Sequence, residues 1–292
     1  MSVGNAELIG NTPVGADDSL RLGVDDRLAS PATPGLARRG LGAAVEKACG
    51  PILLLALWCA ASGFGWLDSS TLPSPAKVWQ AATSLISDGE LQQNLLISLE
   101  RAATGLVIGV AAGVVFALIA GLSRVGSVLL DSNLQMLRSM PILALVPLAI
   151  VWFGIGEEIK VVLVALGVMF PIYLNTHTAI RSVDARYVDL ARTVGLGRFA
   201  LVRRVILPGS LPGFFTGLRF SVAIAWLVLV VSEQVNASSG IGYLMTQARS
   251  IGQTDVIVVG LIVYALLGLV SDTLVRVVER RALTWQSTLR AR

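Results

Sequence analysis

Charged residues are scarce in this chain: Asp, Glu, Lys and Arg make up 14% of its 292 residues. Hydrophobic residues make up 54%, and the mean hydropathy is +0.73. Soluble domains contain about 25% charged and about 45–50% apolar residues, so the composition excludes a soluble globular protein and predicts an integral membrane protein. The net charge of +4 is spread over connecting segments rather than gathered on one aromatic-rich face. This distribution argues against nucleic acid as a partner.

Histidine, cysteine and lysine are also rare, and their scarcity excludes several chemistries. The single histidine, His177, excludes a metal site built from several histidines. Cys49 and Cys59 are ten positions apart, which is roughly 15 Å along a helix and too far for a disulfide. None of the three lysines follows a glycine, as the lysine of a phosphate-binding loop does. The chain therefore cannot hydrolyse ATP through such a loop.

Six apolar stretches are long enough to cross a bilayer, for which a helix needs about 20 residues. They cover approximately residues 48–67, 100–122, 127–153, 158–179, 211–233 and 254–276. We therefore predict an all-α integral membrane protein with six transmembrane helices. The third stretch is the least regular, because Pro141 and Pro147 remove backbone donors within it and Arg138 lies near its start. We expect it to be kinked.

The positions of lysine and arginine predict the orientation, since positively charged connections stay in the cytoplasm. With the N-terminus inside, Arg138 and Arg219 lie in or near spans, and 17 of the 23 Lys and Arg residues become cytoplasmic. Four remain in the outer connections: Lys77, Arg101, Lys160 and Arg249. We expect both termini in the cytoplasm.

The two ends of the chain lack an apolar block of spanning length. Residues 1–45 combine aspartates with Gly, Pro and Ala, which predicts a disordered cytoplasmic tail rather than a cleaved signal. Residues 46–286 form the predicted transmembrane domain, and residues 287–292 a short cytoplasmic tail.

Two outer connections have patterns of their own. After Leu72-Pro73-Ser74-Pro75, the residues Val78, Ala81, Ala82 and Leu85 recur at helical spacing and predict a short amphipathic helix. The stretch from Ser238 to Leu244 has too many small residues to be another span.

A polar interruption occupies residues 184–208, and we call it the interrupting segment. Asp184 can cap a helix, and the four residues Tyr187, Leu190, Ala191 and Val194 follow at i, i+3, i+4 and i+7. This spacing gives one apolar stripe. Gly195 is suited to the left-handed conformation that ends a helix.

A second short helix is predicted after Gly197, with Phe199 on its apolar face, until Pro208 forces Leu207 out of helical geometry. Its arginines would each cost about 2.5–3.5 kcal/mol at the membrane centre. The interrupting segment must therefore lie on lipid headgroups or fill a groove on a partner, and physical reasoning favours neither alternative.

The interrupting segment resembles the EAA motif of permease subunits of bacterial ABC importers. The resemblance rests on Asp189-Leu190-Ala191, Gly195 and Leu207-Pro208. Asp189 replaces the usual Glu, Leu190 the first Ala, and Val205 a usual Ile. Similarity extends from about residue 66 to 286, including Ile150 to Gly156 and Ser238 to Leu244.

Two further stretches resemble the nitrate, sulfonate and taurine branch of that family, and most closely its aliphatic sulfonate permeases. They are Phe170 to Thr176, and Thr254-Asp255-Val256 with Tyr264 to Gly268. The resemblance implies a non-catalytic permease with the type I ABC importer fold, in the bacterial inner membrane. It would form the path for a small anionic solute, such as an aliphatic sulfonate or taurine.

The resemblance also implies the partners. They are a second copy of the chain, two ATPase subunits that bind ATP and Mg²⁺, an extracytoplasmic solute-binding protein and the lipid bilayer, with no cofactor in this chain itself. The interrupting segment becomes the coupling segment on which an ATPase docks. The implied docking residues are Tyr187, Asp189, Leu190, Ala191, Arg192, Gly195, Arg198, Leu207 and Pro208.

Ionisable residues inside spans are candidates for function. Arg219 and Glu233 are two such residues, and they lie roughly 21 Å apart along one helix, too far to pair directly. Arg219 could attract an anion or anchor to a phosphate or carboxylate. Other residues that could line the path, or could simply pack, are Trp152, Phe153, Met169, Tyr173, Asn175 and Trp226.

Two other classes of function compete with this one. A secondary transporter or channel without an ATPase would need coupling charges at mid-membrane, but the few charges of the spans lie toward their ends. A membrane-embedded enzyme would need clustered His, Cys or carboxylate residues in the spans, and the sequence has no such cluster.

Overall fold

The computed structural model describes residues 36–66, 68, 70–154 and 156–285. The predicted C-terminal tail, 287–292, lies outside these residues, as does the predicted N-terminal tail up to residue 35. Residues 36–45, the last part of that predicted tail, are helical instead. The chain divides into two units, one ending at Leu57 and the other beginning at Trp58.

Among the described residues, every regular element is a helix. In chain order the α-helices are α1 (Leu36–Gly63), α2 (Pro75–Ser87), α3 (Glu90–Leu122), α4 (Arg124–Ser139), α5 (Val146–Phe153), α6 (Glu157–Arg181), α7 (Ala185–Thr193), α8 (Arg198–Leu201), α9 (Leu207–Asn236), α10 (Ile241–Ser250) and α11 (Thr254–Ala282). A 3₁₀ turn, Ile142–Leu145, precedes α5, and a π-helical turn, Val202–Ile206, joins α8 to α9.

Among the residues that the structure describes, four helical segments are long and apolar enough to cross a membrane: α3, α6, α11 and the continuous run Arg198–Val235. They coincide with four of the six predicted spans. The first predicted span corresponds to a shorter apolar stretch, Cys49–Gly63. The predicted start of the second span is ten residues late, because α3 begins at Glu90 rather than at residue 100.

The third predicted span, 127–153, is not one kinked helix but two helices with a break between them. Helix α4 ends at Ser139, and Met140 takes extended geometry (φ −78°, ψ 130°). The residue before a proline is pushed out of the helical region, so Pro141 sets this break. Pro147 lies in the first turn of α5, where a missing N–H breaks no helical bond.

The two patterned connections, around α2 and before α10, have the predicted structures. Ser74 caps α2 by accepting a hydrogen bond from the Lys77 backbone N–H (3.4 Å). Val78 and Leu85 are buried on its inner face. The stretch from residue 238 to 244 leads into α10, which has ten residues and is too short to cross a membrane.

The core of the second unit is the packing of α3, α6 and α9. Three glycines of α3, Gly105, Gly109 and Gly113, face α6 at intervals of four residues. A Cβ atom at Gly109 would lie 2.5 Å from the Ala165 carbonyl oxygen. Small residues allow such close backbone approach in a membrane, where the hydrophobic effect does not drive helices together. The glycines therefore set the α3–α6 distance.

This contact yields a matched pair of substitutions. We expect Gly109→Ala to destabilise the protein by about 1–3 kcal/mol, because the added methyl overpacks the α3–α6 interface. Gly268→Ala is the control, since a Cβ at this helical position of α11 meets no atom within 4 Å. The measurement is the thermal unfolding midpoint in detergent. Equal midpoints for the two variants would contradict the packing argument.

Candidate functional site

The interrupting segment consists of α7, a turn at Gly195, α8, the π-helical turn and the first two residues of α9. Asp184 caps α7 as predicted, and its Oδ1 accepts a hydrogen bond from the Arg186 backbone N–H (2.9 Å). Gly195 has φ +80°, and the Leu196 N–H donates to the Ala191 carbonyl (2.9 Å). This geometry is a left-handed helix end, so the predicted helix end at Gly195 is confirmed.

The apolar stripe of α7 is mostly exposed. Ala191 is buried against the rest of the chain, whereas Tyr187, Leu190, Val194 and the neighbouring Phe199 are between 61% and 79% exposed. Arg192 reaches Asp189 across one turn (3.7 Å), and both of these side chains are also exposed. Several large apolar side chains are thus exposed among charges, an arrangement that is typical of contact surfaces.

The predicted end of the second short helix is wrong. Leu207 has helical geometry (φ −62°, ψ −50°), and Arg198–Val235 is one continuous helical run. Pro208 lies in the first turn of α9. The π-helical turn before it changes the backbone hydrogen-bond spacing, which lets the helix pass a residue without an N–H donor. Leu207 and Pro208 therefore begin a membrane-spanning helix.

Four charged residues form a second site near the other end of α9. We call Arg101, Glu157, Lys160 and Glu233 the charge cluster. Arg101 Nη1 lies 2.7 Å from Glu233 Oε1, and its Nε contacts Glu157 Oε2. Lys160 Nζ lies 2.8 Å from Glu157 Oε1. The cluster joins α3, α6 and α9, and its two positive and two negative charges cancel.

Glu233 is the most enclosed member of the charge cluster, and neighbouring donors hold its carboxylate. It accepts hydrogen bonds from Ser98 Oγ (2.9 Å), from the Gly242 backbone N–H (2.9 Å) and from Tyr264 Oη (2.9 Å). A buried carboxylate is stable only when paired and hydrogen-bonded in this way. Gly240 has φ +106°, and a Cβ there would meet Glu233 Oε1 at 2.4 Å. The 237–240 turn therefore needs glycine at this position.

Arg101 also fixes that turn. Its Nη1 donates to the Ser239 carbonyl (2.7 Å) and its Nη2 to Ser239 Oγ (2.8 Å). On the same side, Asn94 Oδ1 accepts from the Gly240 N–H (2.7 Å). The cluster thus connects three long helices to the start of α10.

The placement of Arg101 and Lys160 in outer connections is wrong, because Arg101 lies within α3 and Lys160 in the first turn of α6, both buried. The late predicted start of α3 put Arg101 at a span boundary. Of the charge cluster, sequence reasoning singled out only Glu233 as a candidate. Because α3 begins at Glu90, Arg101 lies inside a span. Ionisable residues inside spans are functional candidates, so the correct start of α3 would have singled out Arg101 as well.

The residues predicted to line a path do not meet at one site. Met169, Tyr173 and Trp226 are buried in packing, whereas Trp152 and Phe153 are exposed at the end of α5. Arg219 forms an ion pair with Asp272 (Nε–Oδ1 3.3 Å), and Glu233 belongs to the charge cluster.

Asn175 alone of these lines an open groove of about 570 Å³ between α6 and α9. The other lining residues are small, hydroxyl-bearing or apolar: Leu174, Thr178, Ala179, Ser182, Gly209, Pro212, Gly213 and Thr216. Among the residues that the structure describes, no group of three His, Cys, Asp or Glu side chains is placed to hold a metal ion.

Because Arg101 and Glu233 of the charge cluster are both buried, we expect the loss of one of their charges to destabilise the protein more than the loss of both. We expect Arg101→Met to cost about 3–5 kcal/mol of unfolding free energy, because it leaves Glu233 buried without its cation. Adding Glu233→Gln should recover part of this loss. The measurement is again the thermal midpoint in detergent.

Arg276→Met is the control, since Arg276 makes an exposed ion pair with Asp272 (2.7 Å) that is worth at most about 1 kcal/mol. If Arg101→Met lowered the midpoint no more than Arg276→Met, the cluster would not be a stabilising element.

Comparison with solved structures places the fold. The chain superimposes on a subunit of an amino acid ABC transporter with a TM-score of 0.58 over 68% of this chain and 97% of the other, at 18% identity. At this identity the likeness concerns the fold alone.

Comparison with curated sequences places the family. The chain is 49% identical to a protein of Escherichia coli (strain K12) named as the aliphatic sulfonates transport permease SsuC, over 80% of this chain and 89% of that one. It is 40% identical to a protein of the same name from Bacillus subtilis (strain 168), over 82% and 86%. The taurine transport system permease TauC of E. coli (strain K12) is 30% identical, over 80% and 86%. Residues 109–284 match the family of binding-protein-dependent transport system inner membrane components. The chain therefore belongs to this family of non-catalytic, membrane-integral permease subunits.

Proposed function

We propose that this chain forms the membrane path of an ATP-driven importer for aliphatic sulfonates. The names of the relatives at 49% and 40% identity support this substrate class over taurine, for which the named relative is 30% identical. The assembly would contain two copies of the chain, two ATPase subunits that bind ATP and Mg²⁺, and an external binding protein that delivers the solute. Both termini would lie in the cytoplasm.

The exposed apolar stripe of α7 is the observation that carries this proposal. A permease without a phosphate-binding loop must receive the energy of ATP from another protein. Tyr187, Leu190 and Val194 form a narrow apolar ridge on a short helix, and such ridges bind in grooves of partner proteins. Asp189, Arg192 and Arg198 around the ridge offer charges of both signs. We propose the ridge and these charges as the ATPase-docking surface.

The continuity of α8 and α9 supports a mechanical route from this surface into the membrane. The run Arg198–Val235 has 38 residues, about 57 Å as a helix. A force on the interrupting segment would therefore act directly on α9 and on the helices packed against it, α3 and α6. Closure of the ATPases on binding ATP would favour one arrangement of these helices, and hydrolysis would restore the other.

Two glycines provide a matched test of docking. Gly195 and Gly197 both have open space for a Cβ, but only Gly195 has positive φ. We expect Gly195→Leu to reduce ATP-driven uptake at least about fivefold, because a left-handed residue with a side chain costs about 1–2 kcal/mol. Gly197→Leu should have little effect.

Asp189→Lys should weaken co-purification of the ATPase subunit as well as uptake, because it reverses a charge on the docking surface. Intact uptake and ATPase association in both Gly195→Leu and Asp189→Lys would contradict the docking role.

The substrate is tested in proteoliposomes that hold the complete importer. We expect uptake of ethanesulfonate to require ATP and the binding protein, and to exceed uptake of taurine or nitrate at equal concentration. Uptake driven by an ion gradient without ATP would instead indicate a secondary transporter. Preference for taurine or nitrate would contradict the sulfonate assignment but not the importer.

A further inference from the structure

Two buried cations of the charge cluster share a single exposed counterion. The side chains of Arg101 and Lys160 are 4% and 2% exposed, whereas that of Glu157 is 56% exposed. We propose that Arg101 and Lys160 form a binding site for the sulfonate group of the solute, and that the Glu157 carboxylate occupies this site when no solute is bound. The inference rests on the proposed function and adds the residues that would recognise the solute.

The geometry of the Glu157 carboxylate shows what the two cations can bind. Its two oxygens contact different cations, Oε2 at Arg101 Nε and Oε1 at Lys160 Nζ. A sulfonate group also presents oxygens that can accept from two donors at once. Charge-assisted hydrogen bonds of this kind are about twice as strong as neutral ones. The carboxylate therefore shows where another oxyanion could bind, with one oxygen at Arg101 and another at Lys160.

Lys160 has capacity for a larger anion. An ammonium group has three N–H donors. Among the described residues, Lys160 donates one hydrogen bond, to Glu157 Oε1. Leaving donors of a buried charge without partners is costly. A sulfonate has three oxygens where a carboxylate has two, so it can use more of these donors.

Exposure decides which carboxylate can leave. Glu233 is fully buried and is held by Ser98, Gly242 and Tyr264 as well as by Arg101. Glu157 is half exposed, and among the described residues its carboxylate contacts only the two cations. It can therefore rotate away from the two cations, while Glu233 continues to hold Arg101 in place.

Charge balance predicts the selectivity of the site. When Glu157 moves away, Arg101, Lys160 and Glu233 leave a net charge of +1. A monoanionic sulfonate restores neutrality, whereas the sulfate dianion would leave an uncompensated negative charge in a largely buried site. The site should therefore select alkanesulfonates over sulfate. Return of Glu157 would then displace the bound group, so binding is reversible.

The test is a calorimetric titration that measures binding. The purified full-length chain, in chloride-free detergent buffer, is titrated with sodium ethanesulfonate and, separately, with sodium sulfate. We expect Glu157→Gln to bind ethanesulfonate roughly tenfold more tightly than the unmodified chain, because the competing carboxylate is removed. It should also prefer ethanesulfonate to sulfate. Adding Lys160→Met to Glu157→Gln should abolish the gain.

Glu158→Gln is the matched control, because it removes the same charge from the neighbouring exposed residue. Equal affinity for ethanesulfonate in Glu157→Gln and Glu158→Gln would overturn the inference, as would a gain that survives Lys160→Met.

Uptake by the complete importer separates this inference from the proposed function. We expect Glu157→Gln to lower the KM for ethanesulfonate and Glu158→Gln to leave it unchanged. Sulfonate uptake with the same KM in both variants would reject the two-cation site alone. No sulfonate uptake by the unmodified importer would reject the proposed substrate and the site with it.

Discussion

The buried ion pair between Arg101 and Glu233 is the constraint on which the arrangement of this permease depends. Neither charge could remain in an apolar core without the other and without further hydrogen bonds. Because Arg101 lies on α3 and Glu233 on α9, these helices are held in one register. Glu157 brings in the start of α6, and Ser239 and Gly242 bring in the turn before α10 and its first residues. Glycines then allow α3 and α6 to approach closely over their length.

Helix α9 joins the two sites of the molecule. The helical run that contains it begins in the interrupting segment, and α9 ends at Asn236, three residues after Glu233. The proposed docking surface and the charge cluster therefore lie near opposite ends of one continuous helical run. In the proposed importer, an ATPase would act on one end and the solute would meet the other. A shift of this helix would change the position of Glu233, and with it the position of Arg101, the buried cation that Glu233 holds.

The interrupting segment and the charge cluster illustrate opposite uses of polarity in a membrane protein. In the first, apolar side chains such as Leu190 and Phe199 are exposed among charges, which suits binding to another protein. In the second, charges are enclosed among apolar helices and balance one another. Exposure in the first site provides a surface for a partner. Enclosure in the second fixes the geometry of its charged groups, apart from that of the half-exposed Glu157.

The sequence by itself determined the membrane class, the four long spans, helix α2 and the shape of α7. These features follow from local composition and from helical spacing, as with Asp184 and Gly195. Tertiary structure decided the charge cluster, because its members lie on α3, α6 and α9 and meet only when these helices pack. It also decided the continuity past Pro208 and the true start of α3. A local pattern shows what one segment prefers, but the partner of a buried charge is chosen by the packing of segments distant in sequence.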